Sequence, residues 1–215
     1  MDPLNTLSRR SLFGLAPALA LVAAGCDQSP YAPRAGFRGV DITGAEYARR
    51  LSLPDVDGKV RDLADFRGKL SLVFFGYTQC PDVCPTTMLE LAEAKKALGA
   101  DGALVQGVFI TIDPERDTAE VLKAYVGNFG PDFIGLRGSA QQIAEAAKEF
   151  KIFYAKVPGK LPGSYTMDHT AGAYIFDRTP RVRLFTRYGA GAQALTEDLR
   201  RLISEKPAEK ADVKA

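Results

Sequence analysis

The sequence is poor in the residues that carry soft side-chain chemistry: 215 residues hold one histidine and three cysteines. Any chemistry of that kind must draw on Cys26, Cys80, Cys84 and His169. Charge of one sign is also scarce. The formal net charge is +2, and no basic stripe with interleaved aromatics occurs, so nothing points to a nucleic-acid partner. No internal repeat is present. A membrane-spanning helix needs about 20 apolar residues. The apolar run near the N-terminus, Leu12 to Ala24, has 13 and contains Pro17, which suits the hydrophobic stretch of an export signal better than a permanent anchor.

What precedes and ends that run agrees with export. Ser8-Arg9-Arg10-Ser11-Leu12-Phe13 resembles a twin-arginine signal with its hydrophobic residues permuted. Ala23-Ala24-Gly25-Cys26 resembles a bacterial lipoprotein signal, with Ala23 where Leu is usual. Residues 1–26 therefore read as an export signal with a lipobox, and Cys26 as the lipidated first residue of the mature chain. The alternative is a cysteine beside an ordinary cleavage site. The expected location is the periplasmic face of a bacterial inner membrane, reached through that lipid anchor. Residues 27–40, with Pro30, Pro33, Gly36 and Gly39, read as a flexible tether. Residues 205–215, rich in Lys, Glu and Ala, read as a disordered tail.

Residues 41–204 carry one α/β pattern. Leu70 to Phe75 is a compact apolar run, consistent with a buried strand, and Leu104 to Ile112 reads as a second buried strand. Pro85 opens a helix toward Leu98, with Met88, Leu89, Leu91 and Leu98 on its apolar side. Asp117 with Glu120 and Ser139 with Gln142 have the spacing of helix capping boxes. Phe133 to Leu136 is a short strand between them. Ala171 to Phe176 and Val182 to Phe185 form a hairpin, and Leu195, Leu199, Leu202 and Ile203 mark one face of a last helix. Strand–helix–strand–helix, then hairpin, then helix is the thioredoxin-like order: a central mixed sheet flanked by helices. Residues 41–69 add N-terminal strands, with Asp55 to Lys59 as a hairpin turn.

The segment Phe75-Gly76-Tyr77-Thr78-Gln79-Cys80-Pro81-Asp82-Val83-Cys84-Pro85 leaves a buried strand and enters a helix. Each cysteine precedes a proline, which disfavours helical dihedrals at Cys80 and Cys84. The helix N-terminus favours thiolate over thiol, and thiolates are both nucleophiles and soft metal ligands. A stabilising disulfide is the plainest alternative in an exported domain, but so short a loop gains little from one. Two buried free cysteines and dithiol redox exchange remain as further readings. His169 stands just before the strand Ala171 to Phe176, which this topology places beside the strand preceding Cys80. Two thiolates and an imidazole suit Cu(I), and with an added oxygen ligand Cu(II). Zinc with a water is the competing metal.

The cysteine segment, the strand end Thr111-Ile112-Asp113-Pro114-Glu115-Arg116-Asp117-Thr118, and Asp168-His169-Thr170 together resemble the Sco/SenC family over about residues 40–202. The resemblance implies a thioredoxin-like copper protein that delivers copper to the binuclear centre of cytochrome c oxidase subunit II. It makes Cys80, Cys84 and His169 the copper ligands and Asp168 a neighbour that tunes them. Asp113 is read as structural, the role of Tyr77 stays open, and Thr170 stands where Ser is frequent. A monomer is expected, with another copper donor or a thioredoxin-like reductant as further partners. The alternative function is a thiol–disulfide oxidoreductase with Cys80 and Cys84 as redox residues. A peroxiredoxin-type peroxidase is disfavoured, because Thr78 is two residues before Cys80 where that chemistry places it three before.

Overall fold

The computed structural model describes residues 36–205. The export signal with Cys26, the tether up to residue 35 and the tail from residue 206 lie outside the described residues. In chain order the strands and helices are β1 (Val40–Asp41), β2 (Leu53–Pro54), β3 (Val60–Arg61), β4 (Leu70–Gly76), α1 (Val83–Ala97), β5 (Val105–Thr111), α2 (Ala119–Gly127), β6 (Ile134–Leu136), α3 (Ala140–Glu149), β7 (Tyr154–Pro158), β8 (Tyr165–His169), β9 (Gly172–Phe176), β10 (Val182–Arg187) and α4 (Ala192–Ser204). The main sheet has the order β1-β10-β9-β4-β5-β6. Its β4, β5 and β6 are parallel, while β9, β10 and β1 run antiparallel to their neighbours.

Every residue of β4 and β5 is buried, Ser71, Gln106 and Thr111 included, as strands covered on both faces require. Along β4 the side chains alternate between faces. Phe74 meets Phe109 and the His169 ring, whereas Phe75 meets Phe150 at the end of α3. Burying each such ring is worth about 1.5–3 kcal/mol, so the strand that leads to the cysteines is anchored in the core. Helices α1 and α4 pack against each other beside it.

Several local expectations hold. Ser139 and Gln142 form a reciprocal capping box at α3. The β2–β3 hairpin closes through Asp55, whose carboxylate accepts from the N–H groups of Asp57 and Lys59, with Gly58 at φ +85°. Three expectations change. Helix α1 begins at Val83, so Cys84 lies inside its first turn; Pro85 costs no bond there, because the first four N–H groups of a helix have no intrahelical acceptor. Leu89 is 52% exposed, one position off the face defined by Met88 and Leu91. The cap of α2 is Thr118, whose hydroxyl accepts from Val121 N–H; Asp117 is buried and bonded elsewhere.

The described end of the tether is docked. Buried Asp198 of α4 accepts from the N–H groups of Arg38 and Gly39 at 2.7 and 2.8 Å, and Val40–Asp41 pair with β10. Among the described residues no helix is long and apolar enough to cross a membrane.

Candidate metal centre

The site is assembled from two segments held in different sheets. The first is the turn between β4 and α1. Gly76 closes β4 by accepting from Ile112 N–H at 2.8 Å, and Cys80 N–H returns to the Tyr77 carbonyl at 3.3 Å. Cys84 N–H, in the first turn of α1, points at Cys80 Sγ at 3.4 Å. Gly76 leaves room for this arrangement: a Cβ there would stand 2.8 Å from Cys84 Sγ.

The second segment, read from the sequence as the approach to the strand Ala171 to Phe176, is itself a strand. His169 is the last residue of β8, which forms a separate two-stranded sheet with β7 and pairs His169 with Tyr154. The signal was present as two five-residue stretches, Tyr154 to Pro158 and Tyr165 to His169, around the turn-prone Gly159, Pro162 and Gly163. Its Pro and Lys content masks the strand pattern.

The Sγ atoms of Cys80 and Cys84 and a ring nitrogen of His169 all lie within 4.8 Å of one another. His169 Nε2 is 3.6 Å from Cys84 Sγ, and Nδ1 is 3.0 Å from the Thr170 carbonyl oxygen. A carbonyl only accepts, so the Nδ1 contact requires Nδ1 to carry the proton, which leaves the Nε2 lone pair facing the sulfurs. Orientation of one imidazole nitrogen by a carbonyl is the usual support for a metal-binding histidine. The ring is wedged edge-on against Phe74 and Tyr77, with centroids 5.9 and 6.2 Å away. The Thr170 hydroxyl accepts from Phe153 N–H and fastens the start of β7, the role a hydroxyl at this position serves.

The two cysteines, both free thiols, are not equivalent. Cys84 is fully enclosed, while Cys80 retains 9% exposure. The hydrogen bond from the Cys84 thiol brings Cys80 down to about 5 against the opposing effect of burial, helped by the N–H groups of Asp82 and Cys84. The same hydrogen bond, with burial, pushes Cys84 well above an ordinary thiol. Cys80 is thus the outer, ionised sulfur and Cys84 the inner, protonated one.

Asp168 is not drawn into the cluster. It pairs with Ala155, is exposed, and by strand alternation faces away from His169. Asp113 is buried and accepts from Arg116 and from the Tyr165 hydroxyl, a structural role as expected. Tyr77 is a wall of the histidine pocket.

Fold and site together define a thioredoxin-like domain with a two-thiol, one-imidazole metal centre at the C-terminal end of β4, in the middle of its main sheet. The sequence pattern of the SCO1/SenC family matches residues 41–204, and the chain belongs to that family. It is 38% identical over 151 residues to a "SCO2-like protein" of Rickettsia felis, covering 70% of this chain and 74% of that one. It is 39% identical over 156 residues to the bovine mitochondrial "Protein SCO2 homolog", covering 70% of this chain but 58% of the longer bovine protein. The copper-bound structure of ScoI from Bradyrhizobium japonicum superposes with a TM-score of 0.64 at 40% identity, covering 71% of this chain and 97% of that one.

Proposed function

We propose that this protein is a copper metallochaperone that holds copper through Cys80, Cys84 and His169 and delivers it to the binuclear copper centre of cytochrome c oxidase subunit II. The observation that carries the reading is the convergence of two sulfurs and one imidazole nitrogen within 4.8 Å, with the other imidazole nitrogen held by a carbonyl. This donor set fits copper: soft sulfur suits Cu(I), and imidazole is shared by both oxidation states. The copper in the Bradyrhizobium relative supports the same assignment. Cys84 serves as the inner anchor, while Cys80 and His169 face the side from which an acceptor's own ligands approach.

The same proposal places the mature, monomeric protein at the periplasmic face of a bacterial inner membrane, anchored by a lipid on Cys26. Its support is the signal-like N-terminus. Another copper donor loads it, or a thioredoxin-like reductant returns its cysteines to thiols.

The ionised state of Cys80 favours one second reading, thiol–disulfide exchange. In it the Cys80 thiolate attacks a partner disulfide and releases one partner thiolate. Cys84 then loses its proton, attacks the mixed disulfide and releases the second. The two readings separate when the copper-loaded chain is mixed with the soluble domain of subunit II in its reduced form. Delivery predicts loss of copper from this chain and growth of the acceptor's copper–thiolate absorption. Retention of copper, together with reduction of an oxidised acceptor by the copper-free chain, would replace delivery with exchange.

A further inference from the structure

The loop between β5 and α2 contains neither cysteine nor histidine, yet two adjacent side chains on it reach both halves of the metal centre. The Asp117 carboxylate is buried and accepts from the Thr78 N–H at 3.1 Å, from the Thr78 hydroxyl at 2.6 Å, and from the Thr111 hydroxyl. Thr78 stands two residues before Cys80. Arg116 sends Nη1 to the Gln79 side-chain carbonyl at 3.1 Å and to the Tyr165 backbone carbonyl at 3.0 Å, while Nε is seated on the carboxylate of Asp113. Gln79 immediately precedes Cys80, and Tyr165 opens the strand that ends in His169.

The contact is more than a single hydrogen bond. The guanidinium lies 3.7 Å from the centroid of the Tyr165 ring, and the Tyr165 hydroxyl donates to Asp113 at 2.9 Å. Asp113, Arg116 and Tyr165 therefore form a closed triangle, from which Arg116 also reaches Gln79 on the cysteine loop. A planar guanidinium with five donors can serve three acceptors on three segments at once; an ammonium cannot reproduce that fork. The need for such a joint follows from the topology. The cysteines follow strand β4 of the main sheet, and His169 ends a strand of the separate β7–β8 sheet. The chain into β9 fixes the His169 end of β8, and Arg116 holds the opposite end.

We propose that Arg116, seated by Asp113 and backed by Asp117, is a positioning residue that sets the distance between the two-cysteine loop and His169. As far as metal is concerned, this rests on the copper reading above.

The test is a double-variant cycle in the full reduced chain carrying Cys26→Ser. Cu(I) affinity is measured by chelator competition and the Cu(II)–thiolate band by absorption. Arg116→Gln is expected to weaken copper about 10–100-fold, yet by less than about twofold in a His169→Ala background, because the histidine it positions is already gone. Arg116→Lys, which keeps the charge and loses the fork, should behave like Arg116→Gln. Gln79→Ala, on the exposed side of the loop, should give a smaller loss that also disappears with His169→Ala, and it serves where Arg116 variants fail to fold. Wild-type affinity in all three variants, or losses that multiply fully with His169→Ala, would overturn the proposal. A copper-free readout separates it from the copper reading. With a single histidine held against Phe74 and Tyr77, the His169 ring protons should shift in the NMR spectrum of metal-free Arg116→Gln or Gln79→Ala. Unchanged ring shifts in both would contradict positioning even in a protein that bound no copper.

Discussion

His169 Nε2 stands 3.6 Å from Cys84 Sγ, although the two residues are 85 positions apart in the chain. The contact joins the open end of a small hairpin, away from its turn, to the first turn of a helix. Beside it, the hydrogen bond between the two cysteines brings Cys80 down to about 5 and, with burial, pushes Cys84 up.

That asymmetry predicts the order of thiol chemistry. In the reduced chain carrying Cys26→Ser, iodoacetamide should modify Cys80 before Cys84, as read by peptide mass spectrometry. Below about pH 5 Cys80 is a thiol and unreactive; its rate should rise through about pH 5 and then level off. Replacing Cys84 with Ala removes the main stabilising hydrogen bond and should move the midpoint upward. Modification of Cys84 first, or a midpoint near that of a free thiol at about 8.5, would contradict the assignment.

The same shift has a stability consequence. A thiol whose folded pKa is lowered adds stability that is complete above its unfolded pKa of about 9 and is lost as pH falls through about 5. Between pH 5 and 9, the reduced copper-free chain should therefore gain stability with pH relative to Cys80→Ser. Denaturant unfolding of the pair at pH 5.5 and 8 checks this, and parallel pH profiles would refute it.

Gly76 gives a steric prediction. A methyl group there meets Cys84 Sγ and a Phe74 ring carbon, each at 2.8 Å. Gly76→Ala should cost about 1–3 kcal/mol by overpacking and should weaken copper binding as well. An unaltered thermal midpoint with wild-type copper affinity would show that the turn relaxes freely.

Asp168 provides the contrast. Because it faces away from the ligands and is exposed, Asp168→Asn should leave Cu(I) affinity within about twofold, well short of the 10–100-fold loss typical of a residue that orients a ligand. Chelator competition decides between the two.

Much of this architecture was legible in the sequence because its strongest signals are local. The mostly apolar runs of β4 and β5, the Ser139–Gln142 box and the Asp55 turn each state their structure within ten residues. The paired cysteines and single histidine likewise marked the site by scarcity. What escaped was long-range. Asp117 looks like a helix cap from its spacing to Glu120, yet its carboxylate is drawn to Thr78, which stands beside it only after β4 and β5 align in parallel. The β7–β8 hairpin is partly exposed, so no continuous hydrophobic pattern announces it. The docking of residues 38–41 escaped for the same reason: glycines beside prolines suggest a tether, and the carboxylate that captures them lies 160 residues away.

That capture is itself testable. Asp198→Ala removes two hydrogen bonds from backbone N–H groups to a buried carboxylate, worth about 1.5–3 kcal/mol each for charged partners. The chain should unfold at a lower temperature, and trypsin should cut at Arg38 in the folded variant but not in the wild type. Equal protection of Arg38 in both would show that β1 pairing and the Arg38–Glu197 ion pair hold the segment without Asp198.

The most direct test of the central claim is a one-equivalent copper titration of the reduced chain carrying Cys26→Ser, beside the same chain with His169→Ala. The account predicts tight one-to-one Cu(I) binding and a Cu(II)–thiolate band in the first, with both collapsing in the second. Weak binding that is indifferent to His169 would contradict a copper centre built from Cys80, Cys84 and His169 and would leave thiol–disulfide exchange as the function of the site.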